Sequence, residues 1–213
     1  TYPVGQLLLQ AGADPNFSYL WGGEYRFAVL TGIFGGGEGG PVRLPEHPEM
    51  VQFARAVLDA GANPNETQGA YNRCFQADDR HLQLMLDYGL KPSDLVKWWD
   101  VAEGEGEQAP RTMHWNFMMA LRFGFADRAR LLIEHGVALD RPDASAPTLT
   151  ARRTPYQVAL LRGLPEIADV IKAEGGDATP LGGQDAFYAA VMAGDTQTAK
   201  RLRQSTNGET SEI

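Results

Sequence analysis

Apolar and polar positions alternate with a helical period in several separate stretches of the chain, and each stretch ends in a glycine. Leucine-type residues recur at three- and four-residue spacing, which predicts amphipathic helices with one apolar face. These helices are predicted in the segments 6–16, 54–65, 81–93, 129–140 and 167–180. The glycine at each end predicts a left-handed C-terminal cap, at Gly12, Gly61, Gly89, Gly136 and Gly175.

Polar turns and shorter helices separate these segments. The turns at 14–16 and 63–65 combine proline with Asn or Asp, whose side chains bond to their own backbone. A shorter helix is predicted before each longer one. In the best example, Thr154 can cap the shorter helix, Pro155 suits its first turn and Gly163 ends it. The sequence therefore predicts a succession of helix pairs.

This succession resembles an ankyrin-repeat array. The family consensus runs roughly GxTPLHxAAxxGHxExVxxLLxxGAD within a repeat of about 33 residues. Residues 154–177 follow that consensus almost position by position. The resemblance covers the chain from about residue 4 to about residue 204, in irregular repeats of a bacterial type. It implies an all-α solenoid of about six helix-pair repeats, the first incomplete. The polar residues 205–213 separately predict a flexible tail.

Insertions interrupt the array, because successive helix-ending glycines lie 49, 28, 47 and 39 residues apart. We place the insertions near 33–46, 91–112 and 141–153. In the second of them, Leu95, Val96, Trp98 and Trp99 predict a short helix packed on the array.

The first insertion contains the stretch GIFGGGEGGPVRLP, whose Gly35, Gly37 and Gly40 have the G-x-G-x-x-G spacing of phosphate-binding loops. That function needs a strand before the glycines and a helix that opens among them. The sequence instead predicts a helix at 24–32 before the glycines and prolines after them. We interpret the stretch as a loop that either covers the array or contacts a partner.

Arginine in a helix seam is a further departure from the family pattern. Arg73 falls near a position where the family has a small alanine. A buried guanidinium needs a partner or a route to solvent, and Asp78 and Asp79 are the nearest candidates.

Composition and charge narrow the class of protein. The 213 residues are 43% hydrophobic, which suits folded domains with a buried core. The net charge is −8, and residues 1–110 hold 15 acidic against 7 basic side chains. This charge argues against nucleic-acid binding, which needs a basic surface. No apolar run is long enough to span a membrane and no signal peptide is present, so we expect no membrane association and a cytoplasmic location.

Catalytic and metal-binding motifs are absent from the sequence. The single cysteine, Cys74, allows no disulfide within the chain, and no two histidines have HxxxH spacing. The chain lacks G-x-S-x-G, H-E-x-x-H and G-x-x-x-x-G-K-[ST]. We therefore expect neither an enzyme nor a cofactor or metal site.

The resemblance to ankyrin repeats implies a non-catalytic scaffold or adaptor. It would bind an unknown protein partner through the concave surface of the turns and inner helices, as a monomer by default. The alternative is a regulatory or targeting domain of an enzyme or toxin whose catalytic domain lies outside this chain, because the chain begins inside an outer helix. The candidate partner-binding residues are Trp21, Tyr25, Arg26, Trp98, Trp99, His114, Trp115, Arg152, Arg153 and Tyr188.

Overall fold

The computed structural model describes residues 1–40, 42–98, 109–142 and 152–208. These residues are mostly helical and form eleven helices and one two-stranded antiparallel sheet. In chain order the elements are α1 (Tyr2–Gln10), β1 (Ser18–Trp21), β2 (Tyr25–Ala28), α2 (Val29–Phe34), α3 (Met50–Asp59), α4 (Thr67–Arg73), α5 (Arg80–Asp87), α6 (Thr112–Phe123), α7 (Ala126–Glu134), α8 (Pro155–Leu161), α9 (Pro165–Ala173), α10 (Gly183–Met192) and α11 (Thr196–Gly208). None of these helices is both long and apolar enough to cross a membrane.

Glycine caps end the longer helices, as predicted. At the end of α3, Gly61 has a φ of +99°, and its N–H donates to the carbonyl of Leu58. The N–H of Ala62 donates to the carbonyl of Val57, which completes a Schellman motif. The same pair of bonds ends seven other described helices, at Gly12, Gly89, Gly124, Gly136, Gly163, Gly175 and Gly194.

Side-chain turns follow three of these caps and begin at Asp14, Asn63 and Asp177. The Asp14 carboxylate accepts from the N–H of Asn16 at 2.9 Å, and the Asn63 side chain accepts from the N–H of Asn65 at 3.0 Å. These bonds confirm the predicted turns at 14–16 and 63–65. The Asn16 side chain then joins one turn to the next, because its Oδ1 accepts from the N–H of Asn63 at 2.8 Å.

The first compact unit spans residues Thr1–Asn116. Its longer helices α1, α3 and α5 contact one another in chain order, and its shorter helices α2 and α4 pack side by side. The core is apolar and includes the fully buried side chains of Phe34, Val57, Leu82 and Met85.

The second compact unit spans Phe117–Ile213. In it, α8 packs on α9, α10 packs on α11, and the shorter helices α8 and α10 contact each other. Thr154 caps α8 as predicted, since its Oγ1 accepts from the N–H of Gln157 while Gln157 Oε1 accepts from the N–H of Thr154. The same two side chains donate to the carbonyls of Asp177 and Thr179, in the turn after α9.

The helix predicted at 24–32 is wrong in its first half, which is the strand β2. Tyr25 and Phe27 pair with Trp21 and Tyr19 of β1 across a tight turn. The turn contains two glycines with positive φ, which suit a short hairpin connection. Alternating aromatic residues on both sides of two glycines are a hairpin signal, and here it prevails over the helical period.

The short helix predicted at 95–99 is also absent from the described residues of that segment. Residue Leu95 instead forms a bridge with Arg111, and the N–H of Val96 donates to the carbonyl of Pro110 at 2.9 Å. The hydrogen bonds between these two segments, which lie well apart in the sequence, give the backbone N–H and C=O groups partners in an extended conformation. Trp99 lies outside the described residues, as do residues 143–151 of the third predicted insertion and residues 209–213 of the predicted tail.

The glycine-rich loop of the first insertion covers α4. The N–H of Gly37 donates to the carbonyl of Asn72 at 2.6 Å, and Gly36 is buried against the same carbonyl. A Cβ atom at Gly36 would lie 2.5 Å from that oxygen. Glycine is therefore required at position 36 both by its φ of +92° and by the close approach of the α4 backbone.

Arg73 is buried, with 3% of its side chain exposed, and it has the acidic partner that the sequence predicts. Its Nη2 lies 2.5 Å from the Asp78 carboxylate, and its Nη1 lies 3.1 Å from Glu46. Arg80 contacts the same two carboxylates. Hydrogen bonding by Arg80 and the charge of Arg73 hold the pKa of Asp78 well below its usual range. This network attaches the end of the glycine-rich loop to α4 and α5.

We expect Gly36→Ala to destabilise the protein by about 1–3 kcal/mol more than Gly37→Ala. The two glycines are neighbours with nearly equal positive φ, +92° and +89°. Both variants place a side chain at a similar positive φ, but only the first forces a Cβ atom against the Asn72 carbonyl. Urea unfolding of both variants measures the difference. Equal losses would show that the loop does not pack closely on α4.

We expect Asp78→Ala to lower the free energy of unfolding by about 1–3 kcal/mol, because it removes one of the carboxylates that balance the buried Arg73. The matched control is Asp127→Ala, which breaks an ion pair with Arg130. The side chain of Asp127 is 97% exposed. The control should change stability by less than about 0.5 kcal/mol. Urea unfolding compares the two variants, and equal effects would contradict the role of Asp78.

Candidate functional site

The β1–β2 hairpin carries an aromatic face. Alternate residues of a strand point to the same side of a sheet, so Tyr19, Trp21, Tyr25 and Phe27 project from one face. The rings of Trp21 and Phe27 are stacked with centroids 5.8 Å apart, and Trp21 and Tyr25 lie 6.3 Å apart. Two predicted binding residues, Trp21 and Tyr25, therefore lie together within a larger aromatic set.

Much of this aromatic face is open to solvent. Trp21 is 55% exposed, Tyr19 and Tyr25 are also exposed, and so is Leu20 on the opposite face. Phe17, just before β1, is exposed as well. Such a concentration of exposed large apolar side chains is typical of an interaction surface. We call these residues, 17–27, the hairpin surface.

Arg26 anchors the hairpin to the unit beneath it. Its Nη2 donates to the carbonyl of Asn16 at 3.3 Å, and its Nη1 lies 3.9 Å from Glu66. The backbone N–H of Arg26 donates to the carbonyl of Trp98 at 3.4 Å. Arg26 was predicted to contact a partner, and in the structure its contacts hold the hairpin in place.

Glu66 is the buried carboxylate at this anchor, with 4% of the residue exposed. It accepts hydrogen bonds from Thr31 Oγ1 at 2.9 Å and from the N–H of Gly69 at 2.5 Å. Burial raises the pKa of Glu66, while these hydrogen bonds and the charge of Arg26 oppose that rise. The residue lies at the N-terminus of α4, where its side chain caps the helix.

A second aromatic cluster lies in the same unit and includes two predicted residues, Trp98 and Trp115. Their ring centroids are 5.7 Å apart and nearly perpendicular, and Tyr71 lies within 5.7 Å of both. The Tyr71 hydroxyl donates to Glu38 of the glycine-rich loop. Burial and the neighbouring Glu38 raise the pKa of Tyr71 well above its usual range. These half-buried rings pack against one another and support the hairpin through Trp98.

Tyr71, Tyr19 and Phe27 were not among the predicted contact residues. The alternation of Tyr19 with Trp21 and of Tyr25 with Phe27 was a readable hairpin signal. Tyr71 lies in a segment with a poor match to the repeat consensus, and only the folded chain brings it beside Trp98.

The other predicted partner-binding residues that the structure describes belong neither to the hairpin nor to the second aromatic cluster. His114 is buried, with 8% exposed, so it does not reach the surface. In the second unit, Arg153 forms an ion pair with Asp185, Arg152 is exposed with a φ of +61°, and Tyr188 is exposed and accepts a hydrogen bond from Gln184.

The two described open grooves are both lined by residues of the second unit. One has a volume of about 370 Å³ and runs between residues 133–140 and 174–175, and the other has a volume of about 280 Å³ between α8, α10 and α11. Among residues 1–40, 42–98, 109–142 and 152–208, no group of three His, Cys, Asp or Glu side chains could hold a metal ion. The side chain of Cys74 is buried.

Comparison with protein-family models and with curated proteins found no match at a significant level. The candidate site therefore rests on its own geometry.

We expect Glu66→Gln to change the pH dependence of stability. The raised pKa of Glu66 means that the folded state binds its proton more tightly than the unfolded state. That contribution is fully present below the ordinary value of 4.5 and is lost as pH rises through the raised pKa. Glutamine stays neutral, so the variant should gain stability relative to the wild type as pH rises.

Urea unfolding between about pH 4 and about pH 7 measures this trend. Glu24→Gln is the control, because Glu24 is an exposed carboxylate on the hairpin turn. Parallel pH profiles for the wild type and Glu66→Gln would contradict the effect of burial on Glu66.

Proposed function

We propose that this chain is an irregular ankyrin-type array that acts as a non-catalytic scaffold and binds a protein partner through the hairpin surface. The fold part of the proposal is supported by one recurring unit. A helix ends in a left-handed glycine, and the residue two positions later, Asp14, Asn63 or Asp177, accepts from a backbone N–H two positions further on. Three occurrences of the same cap and turn are expected of a repeated structural unit.

Packing and capping within each unit agree with this proposal. Longer helices contact longer helices, and shorter helices contact shorter ones, as in arrays where each repeat buries its apolar face against its neighbours. The segment Thr154-Pro155-Tyr156-Gln157 occupies the place of the family's Thr-Pro-Leu-His. Its Thr154 and Gln157 side chains bond to each other's backbone and to the following turn.

The hairpin surface carries the functional part of the proposal. It extends one of the turns that connect successive helix pairs, which is where solenoid repeats place longer binding loops. Tyrosine and tryptophan dominate binding energy at protein interfaces, because they bury a large area at little conformational cost. Trp21 and Tyr25 are exposed on a hairpin that Arg26 holds in place. A protein is the partner class that fits these features.

Affinity capture from a lysate of the producing organism tests the proposal. The wild-type chain should retain a partner that Trp21→Ala retains at least about tenfold more weakly, the loss expected of a hot-spot residue. Met192→Ala is the matched control, because Met192 is also 55% exposed but belongs to the second unit. The control should retain the partner fully. Capture of no protein, or equal capture by Trp21→Ala, would overturn the proposal.

A further inference from the structure

The outer edge of β1 has open backbone positions. The N–H groups of Arg26 and Ala28 point away from β1, since they donate to the Trp98 carbonyl and to Thr31 Oγ1. Leu20 and Ser18 pair with these two residues. In an antiparallel ladder, opposite residues alternate between hydrogen-bonded and non-hydrogen-bonded pairs. Both residues of a non-hydrogen-bonded pair direct their N–H and C=O groups away from the partner strand. The N–H groups of Leu20 and Ser18 therefore point to the outer edge of β1.

Nothing in the described part of the chain bonds to these two N–H groups. Proteins usually protect such edges with lysine, proline, a bulge or a covering loop. β1 has the sequence Ser-Tyr-Leu-Trp and uses none of these side-chain devices. Its apolar side chains are instead exposed on both faces, Tyr19 and Trp21 on one side and Leu20 on the other. An added strand would satisfy the edge and cover both faces.

The acidic residues near β1 favour a basic partner segment as the added strand. Asp14 before β1 and Glu24 after it are exposed carboxylates, and residues 1–110 hold 15 acidic against 7 basic side chains. Arginine and lysine of a partner could pair with these carboxylates and pack over the rings of Tyr19 and Trp21. A second copy of this chain carries the same net charge of −8, so edge-to-edge dimers meet electrostatic repulsion.

We propose that β1 binds an extended, basic segment of a partner protein as an added antiparallel or parallel strand. The proposal rests on the proposed function and specifies its partner and binding mode. Backbone bonds to Ser18 and Leu20 supply the pairing, and alternate side chains of the segment reach the aromatic face. The hairpin surface thus recognises an extended conformation together with positive charge.

Selection from a phage-displayed library of random peptides tests the binding mode, with synthetic versions of the enriched peptide as probes. We expect enriched sequences to be rich in Arg or Lys at alternate positions. N-methylation of one set of alternate amides should weaken binding at least about tenfold, while methylation of the other set should not. Equal effects of the two methylation patterns would overturn strand addition, and enrichment of acidic peptides would overturn the charge preference.

A matched pair of protein variants tests the edge itself. Leu20→Pro removes the outward N–H, which is compatible with an edge strand because that N–H is not part of the β1–β2 ladder. Leu20→Ala removes the same side chain but keeps the N–H. Leu20→Pro should bind the peptide at least about tenfold more weakly than Leu20→Ala, with unchanged circular dichroism. If proline unfolds the hairpin, the peptide methylation pattern still decides the question.

Two further outcomes separate this inference from the proposed function. Sedimentation of the chain alone should give a monomer, and a dimer that Leu20→Pro dissociates would overturn the inference in favour of a second copy. A lysate partner that depends on Trp21 but binds Leu20→Pro and Leu20→Ala equally would leave the scaffold function intact and overturn strand addition.

Discussion

The need to satisfy backbone carbonyls at helix ends shapes every part of this chain that forms helix pairs. A helix leaves its last carbonyls without partners, and a left-handed residue lets its own N–H and that of the following residue turn back to two of them. Eight described helices end in this way at a glycine. The reversal determines where the chain leaves each helix and allows a short partner helix or a turn to follow. Packing between helices then builds on directions that these local bonds have already established.

The longer loops of the first unit satisfy their polar groups in the same way, through partners that lie farther away in the sequence. In the glycine-rich loop, the N–H of Gly37 donates to the Asn72 carbonyl of α4, and the buried Arg73 is balanced by Asp78 and Glu46. Glu66 similarly replaces lost hydration with bonds from Thr31 and Gly69. The first unit therefore contains buried charges that are paired, and its loops are held by directional bonds as well as by apolar contact. This explains how an irregular spacing of the helix-ending glycines is compatible with an ordered hairpin.

The sequence predicted the features that depend on neighbouring residues. The helix-ending glycines, the turns at 14–16 and 63–65 and the Thr154 cap all follow from side chains within a few positions. The sequence failed where pairing partners lie far apart. Residues 94–96 are extended because they pair with 110–112, and no local period indicates that partner. The hairpin was missed for a different reason, since the helical period of 24–32 competed with the alternation of Tyr25 and Phe27. Trp98 and Trp115 were each predicted as partner-binding residues, but their ring contacts with Tyr71 depend on tertiary packing.

The hairpin combines a strand that is held in place, β2, with a strand whose outer edge is open, β1. This combination suits the hairpin to binding a partner. A flexible hairpin with the same aromatic residues would lose conformational entropy on binding and so bind weakly. Here Arg26 holds the inner strand through Asn16, Glu66 and the Trp98 carbonyl, so the cost of ordering β2 is already met in the free protein. The bond to the Trp98 carbonyl lies on the edge of β2 that faces away from β1, and the side chains of Tyr19, Leu20 and Trp21 on β1 are exposed. An element fixed on one edge and open on the other is suited to templating a strand, because a newly added segment meets hydrogen-bonding groups already at strand spacing.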